Sequence, residues 1–80
     1  MQRQNVDLEM IKPGQKALIK TVLGEDDLSF RLKELGFFPG GIIELLSWTP
    51  FRWPAAVIIK DSVVALRKEE AKRLLLRKIS

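Results

Sequence analysis

AAVIIKDSVVAL, residues Ala55–Leu66, holds two runs of β-branched and small apolar side chains parted by Lys60-Asp61-Ser62. Such side chains favour the pleated backbone, and a short polar break between two runs of them predicts a β-hairpin of Ala55–Ile59 and Val63–Leu66. Upstream, Pro50 and Pro54 bracket Phe51-Arg52-Trp53. Neither proline can donate to a ladder, so Thr49–Pro54 is expected to be a short rigid loop. Ile42–Trp48 becomes the preceding strand, opened by Pro39-Gly40, which suits the two central positions of a type II turn.

Working further outward, Lys16–Val22 alternates, with Ala17, Ile19 and Thr21 expected on one face and Leu18, Lys20 and Val22 on the other. Asp26 or Asp27 is a natural N-cap after Gly24, and Leu28, Leu32 and Leu35 form one helical stripe expected in the core. Gly36 ends that helix, with Phe37 placed for the hydrophobic contact that accompanies a glycine cap. Arg67–Arg73 reads as one or two helical turns, acids first and bases last, and Leu74–Ile79 as a closing strand. Five short strands with one inserted helix cannot cover both faces of an open sheet. A mainly β, small closed or half-closed barrel satisfies them, with a short helical turn before the last strand. Residues 1–7 are expected to be a mobile terminus and 8–80 a single domain.

The 80 residues contain no cysteine and no histidine, which removes thiolate chemistry, disulfides and the side chain that ordinarily titrates near neutral pH. Glu69 and Glu70 are neighbours on a helix and do not face each other, and no nucleophile has a partner base, so an enzyme is not expected. The metal-ligating candidates reduce to Glu25, Asp26 and Asp27, hard oxygen donors that suit helix capping better than a selective ferrous site. No metal or other cofactor is expected. The longest apolar run, Ala55–Ile59, falls far short of the roughly 20 residues of a membrane-spanning helix, and the polar opening is no secretory signal. A cytosolic location follows as an expectation, without direct membrane insertion.

The formal charge is +4, and the surplus lies in the second half: residues 1–40 carry six basic and six acidic side chains, residues 41–80 eight and four. Arg67, Lys68, Lys72, Arg73, Arg77 and Lys78 concentrate it near the end, either as a patch for an anionic partner or as a solvated face. Phe51-Arg52-Trp53 combines residue types enriched at binding hot spots on a loop that costs little to order; the competing reading is that its aromatics cap the barrel.

Arg31-Leu32-Lys33-Glu34-Leu35-Gly36-Phe37, then Pro39-Gly40, the prolines Pro50 and Pro54, and Ala65-Leu66-Arg67-Lys68-Glu69-Glu70-Ala71 follow an order that resembles the ferrous iron transport protein A family, FeoA. Leu8, Met10, Pro13-Gly14, Ala17 and Ile19 extend the resemblance over nearly the whole chain. It implies an SH3-like barrel and a small cytosolic accessory role beside FeoB, the membrane GTPase that carries ferrous iron. The same fold recurs as the C-terminal domain of metal-dependent repressors. Phe51-Arg52-Trp53 departs from the small Leu-Gly-Asp type loop common in that family. The expected partner contacts are Leu35, Gly36, Phe37, Phe38, Pro50, Phe51, Arg52, Trp53 and Pro54. The alternative is an SH3-like module that binds single-stranded nucleic acid, through Phe51, Arg52, Trp53 and the basic tail, or a proline-rich peptide.

Overall fold

In the computed structural model, which describes residues 5–79, the hairpin forms where expected, joining strands Arg52–Ile59 (β3) and Ser62–Leu66 (β4). Ile59 pairs with Ser62, so the turn is the two residues Lys60 and Asp61, both at positive φ (49° and 67°). Two positive φ angles give the turn the twist that matches two right-twisted strands. Ser62 therefore belongs to the strand.

The other strands are β1 (Lys16–Val22), β2 (Ile42–Thr49) and β5 (Leu74–Lys78), in the antiparallel order β4-β3-β2-β1-β5. Helix α1 (Asp27–Glu34) lies between β1 and β2, and the single turn α2 (Lys68–Ala71) carries the chain from β4 to the opposite edge at β5. This is the small, mainly β barrel-like architecture expected. The inward residues alternate along the strands, as in Ala55, Val57 and Ile59, and meet Leu32, Phe37, Leu66 and Leu76 in one buried cluster.

Three local expectations need correction. In β1 the pairing with β5 shifts between Ile19 and Thr21. A β-bulge inserts a residue and reverses the alternation beyond it, so Val22 is buried with Ala17 and Ile19, and Thr21 is not. In α1, Asp26 is the N-cap, accepting a hydrogen bond from the Ser29 N–H at 3.2 Å. Ser29, not Leu35, joins Leu32 in the interior, because its hydroxyl is satisfied by the Asp26 carbonyl at 2.9 Å. Leu35 is the C-cap and is 41% exposed. The loop expected over Thr49–Pro54 is shorter, since β3 begins at Arg52, which pairs with Thr49. The ladder jumps from Trp48 opposite Ala55 to Thr49 opposite Arg52, so Pro54, whose peptide bond from Trp53 is cis, sits where no donor is required. Backbone contacts with the sheet begin ahead of Leu8. Val6 bridges to Leu76, and Asp7 caps a 3-10 turn at Leu8–Met10 that buries Leu8 and, just beyond, Ile11. The rest of the expected mobile terminus, residues 1–4, lies outside the described residues.

The corner between α1 and β2 follows the sequence closely. The Phe37 N–H donates to the Leu32 carbonyl and the Gly36 N–H to the Lys33 carbonyl, both at 3.0 Å, the paired bonds of a Schellman cap. Gly36 has φ of 110°, open only to glycine at low cost. Four residues on, Gly40 at φ 92° and the Gly41 N–H donating to the Phe38 carbonyl at 2.9 Å complete the type II turn. Among the described residues no helix is long and apolar enough to cross a membrane.

Candidate functional site

The β2–β3 hairpin ends in Pro50-Phe51, and its two aromatics part company. Trp53 packs edge-on against Trp48, ring centroids 5.1 Å apart at 88°, which is the barrel-capping role. Phe51 is 90% exposed. Between them Arg52, at φ 78°, lays its guanidinium 4.3 Å from the centre of the Trp48 ring. The same group donates to Glu9 Oε2 at 3.4 Å and to the Glu9 carbonyl at 3.3 Å, and the Thr49 hydroxyl donates to the Trp53 carbonyl at 2.9 Å. The tip is thus tied to the 3-10 turn, and Phe51 projects from a braced base.

At the other expected contact region, Phe37 is completely buried and offers no surface: the Schellman cap turns it onto the core side. Gly36 is buried as well. Leu35 and Phe38 remain exposed, and the Lys60 ammonium lies 5.0 Å above the Phe38 ring.

A groove of about 620 Å3 is lined by Arg31, Leu35, Pro54, Val64, Ala65, Arg67 and Glu70. It brings together Leu35, Pro54 and Arg67, which the sequence suggested separately, and adds Arg31, Val64, Ala65 and Glu70, which it did not. Their juxtaposition is made by α2 carrying the chain past α1, and no local motif announces it. Glu70 is buried, and its Oε1 accepts from the Arg67 N–H at 2.8 Å. This is one half of a capping box, since an arginine side chain has no acceptor for the other half.

The basic residues differ in their surroundings. Arg73 is bound bidentately to Asp26, Nη1 to Oδ1 at 2.8 Å and Nη2 to Oδ2 at 2.6 Å, and also donates to the Leu23 carbonyl at 3.2 Å. The Arg73 hydrogen bond, seconded by the Ser29 N–H, lowers the Asp26 pKa from 3.8 to about 2. The carboxylate's stabilising contribution is therefore complete above pH 3.8 and disappears as pH falls through about 2. Lys68 and Lys72 line a dimple of only about 10 Å3 with Asp7, Glu9 and Trp53. Arg77 and Lys78 stand on β5 opposite Leu18 and Ala17. With Arg52 tied to Glu9, Arg73 paired with Asp26 and Trp53 packed on Trp48, three members of the platform suggested for single-stranded nucleic acid are engaged within the protein. Asp26 is likewise occupied by capping, and among the described residues no group of three or more Asp and Glu side chains is placed to hold a metal ion.

The model of the FeoA domain family matches residues 6–78. Among solved structures, iron(II) transport protein A from Clostridium thermocellum superposes with a TM-score of 0.88 at 30% identity, covering 92% of this chain and 46% of that one. The chain thus spans about half the length of that relative. A crystal structure of the iron uptake regulatory protein FeoA is similar at 26% identity and a TM-score of 0.82, covering 95% of this chain and 99% of that one. FeoA of Stenotrophomonas maltophilia, a prokaryotic SH3 domain protein solved with zinc, gives 28% identity and a TM-score of 0.76, over 89% of this chain and 88% of that one. No curated protein matches the sequence.

Proposed function

The chain belongs to the FeoA family of SH3-like proteins associated with ferrous iron transport, and from that premise we propose that it is a cytosolic accessory docking on the FeoB-type membrane GTPase transporter and modulating it by contact. The observation that carries docking is Phe51, 90% exposed on a braced hairpin tip. A large apolar side chain held out from a rigid support loses little entropy on burial, which is the usual character of an interface anchor. Leu35, Phe38 and Pro54 supply further exposed apolar surface. We read the role as non-enzymatic, since the 80 residues include no cysteine or histidine to serve as nucleophile or base.

The test is a titration of the nitrogen-15-labelled protein with the cytosolic GTPase region of the transporter, alongside GTP hydrolysis by the intact transporter. Amide shifts at Phe51 and Arg52 that vanish in Phe51→Ala, together with an altered hydrolysis rate, are expected. Shifts that persist unchanged in Phe51→Ala remove the hairpin tip as the contact, and the absence of both binding and any rate change removes the accessory role.

A further inference from the structure

The sheet has two edges, and they are finished differently. On β5 the outer side is bonded to the start of the domain: the Val6 N–H donates to the Leu76 carbonyl at 2.8 Å and the Leu76 N–H to the Val6 carbonyl at 3.0 Å. On β4 no backbone group beyond β3 is bonded among the described residues. Which groups are left over follows from the turn. Ile59 and Ser62 close a two-residue hairpin and so form a hydrogen-bonded pair, and bonded pairs alternate along an antiparallel ladder. Val64 and Leu66 therefore turn their N–H and C=O groups toward β3, whereas Val63 and Ala65 turn theirs outward. Natural sheet edges are commonly blunted by lysine, proline or a bulge, and Ser62-Val63-Val64-Ala65-Leu66 has no charge or proline and pairs with β3 without a register shift.

Beside this open edge lies the groove already described, with Leu35, Pro54 and Val64 as its apolar lining. Its acid, Glu70, caps α2 through Oε1 and is nearly enclosed, and its Oε2 makes a long ion pair with Arg31 Nε at 4.0 Å that leaves the Arg31 side chain 68% exposed to a second carboxylate. Arg67 is exposed too. What faces a ligand is thus a free strand edge, an apolar lining and two guanidinium groups.

We propose that β4 and this groove receive an extended acidic segment of a partner protein, which adds a strand beside Val63 and Ala65 and sets its carboxylates against Arg31 and Arg67. Main-chain bonds supply affinity and the alternating side chains supply selectivity, as in other strand additions. A second copy of the chain is a poorer occupant, since it brings another net charge of +4 and the same two arginines. The proposal rests on the docking role above and names the chemistry of the segment that is bound.

The probe is a short synthetic peptide alternating valine with aspartate and glutamate, with the same peptide carrying lysine at the acidic positions as control, followed by the amide spectrum. Shifts at Val63 and Ala65 with the acidic peptide only, weakening with salt, are expected. Val63→Pro removes an outward donor without touching the β3 ladder and should weaken binding by about tenfold. Arg31→Gln and Arg67→Gln leave the backbone intact and should each weaken it by about threefold, which keeps the test decisive if Val63→Pro does not fold. Equal binding of the lysine peptide, or no shift at Val63 and Ala65, overturns the proposal. Shifts there on concentrating the protein alone also overturn it, in favour of self-pairing. The transporter region separates the two readings: binding it equally well with and without Val63→Pro overturns the strand edge and keeps docking. Binding of the acidic peptide but not of the transporter region keeps the edge and overturns docking.

Discussion

At the α1–β2 corner the first of two adjacent aromatics, Phe37, is wholly buried and the second, Phe38, is 41% exposed; at the β2–β3 hairpin the first, Phe51, is 90% exposed and Trp53 is packed on Trp48. Both segments follow a helix or strand end, and both combine an aromatic pair with a nearby cation, Lys60 over Phe38 and Arg52 over Trp48. The difference is made by backbone torsion. A glycine at φ 110° swings the chain so that Phe37 falls back on Leu32, whereas the two-residue tip Pro50-Phe51 carries its side chain beyond the last ladder pair. Hydrophobicity does not decide which aromatic is available to a partner. The turn that carries it does.

The sharpest way to test this contrast is Phe37→Ala, expected to destabilise the protein by about 3–5 kcal/mol in chemical denaturation, as for other large aromatics deleted from a core. Gly36→Ala follows at about 1–2 kcal/mol. An added Cβ there would find its nearest neighbours at 3.8 Å, so the cost is one of torsion alone, and it should lower the denaturation midpoint without altering the shape of the transition. Arg52→Ala cuts the tie to Glu9 and the contact on Trp48. Because the ion pair is half exposed, the expected loss is below about 1 kcal/mol, accompanied by faster backbone relaxation at Phe51. Smallest is Phe51→Ala, expected to leave stability within about 0.5 kcal/mol while abolishing binding of the transporter region. A large loss of stability in that variant would mean that Phe51 belongs to the core after all.

The punctuation of the chain was legible because single residues carry it: Asp26 caps α1, Gly36 closes it, and Pro39-Gly40 turns the chain into β2. The bulge in β1 left no mark of residue type, so strict alternation put Thr21 where Val22 lies. Leu35 fits a helical stripe but falls one residue beyond an eight-residue helix, and the interior place goes to Ser29, whose polar hydroxyl finds a partner within its own turn. The prolines flanking Phe51-Arg52-Trp53 marked a break correctly but hid the fact that β3 resumes before Pro54. Of the candidate contacts, Phe51 was visible from composition. The groove was not, because it assembles side chains from Arg31 to Glu70 that meet only once α2 has carried the chain past α1.

The reciprocal bonds between Val6 and Leu76 fix the entry and exit of the domain side by side on one strand edge. Neighbouring strands are separated by about 5 Å, a gap that a loop of another protein spans without distortion. The barrel is consequently portable: it can be set into a host chain, repeated in tandem, or cut at the Lys60-Asp61 turn and rejoined through its old ends, with the order of strands in the sheet unchanged.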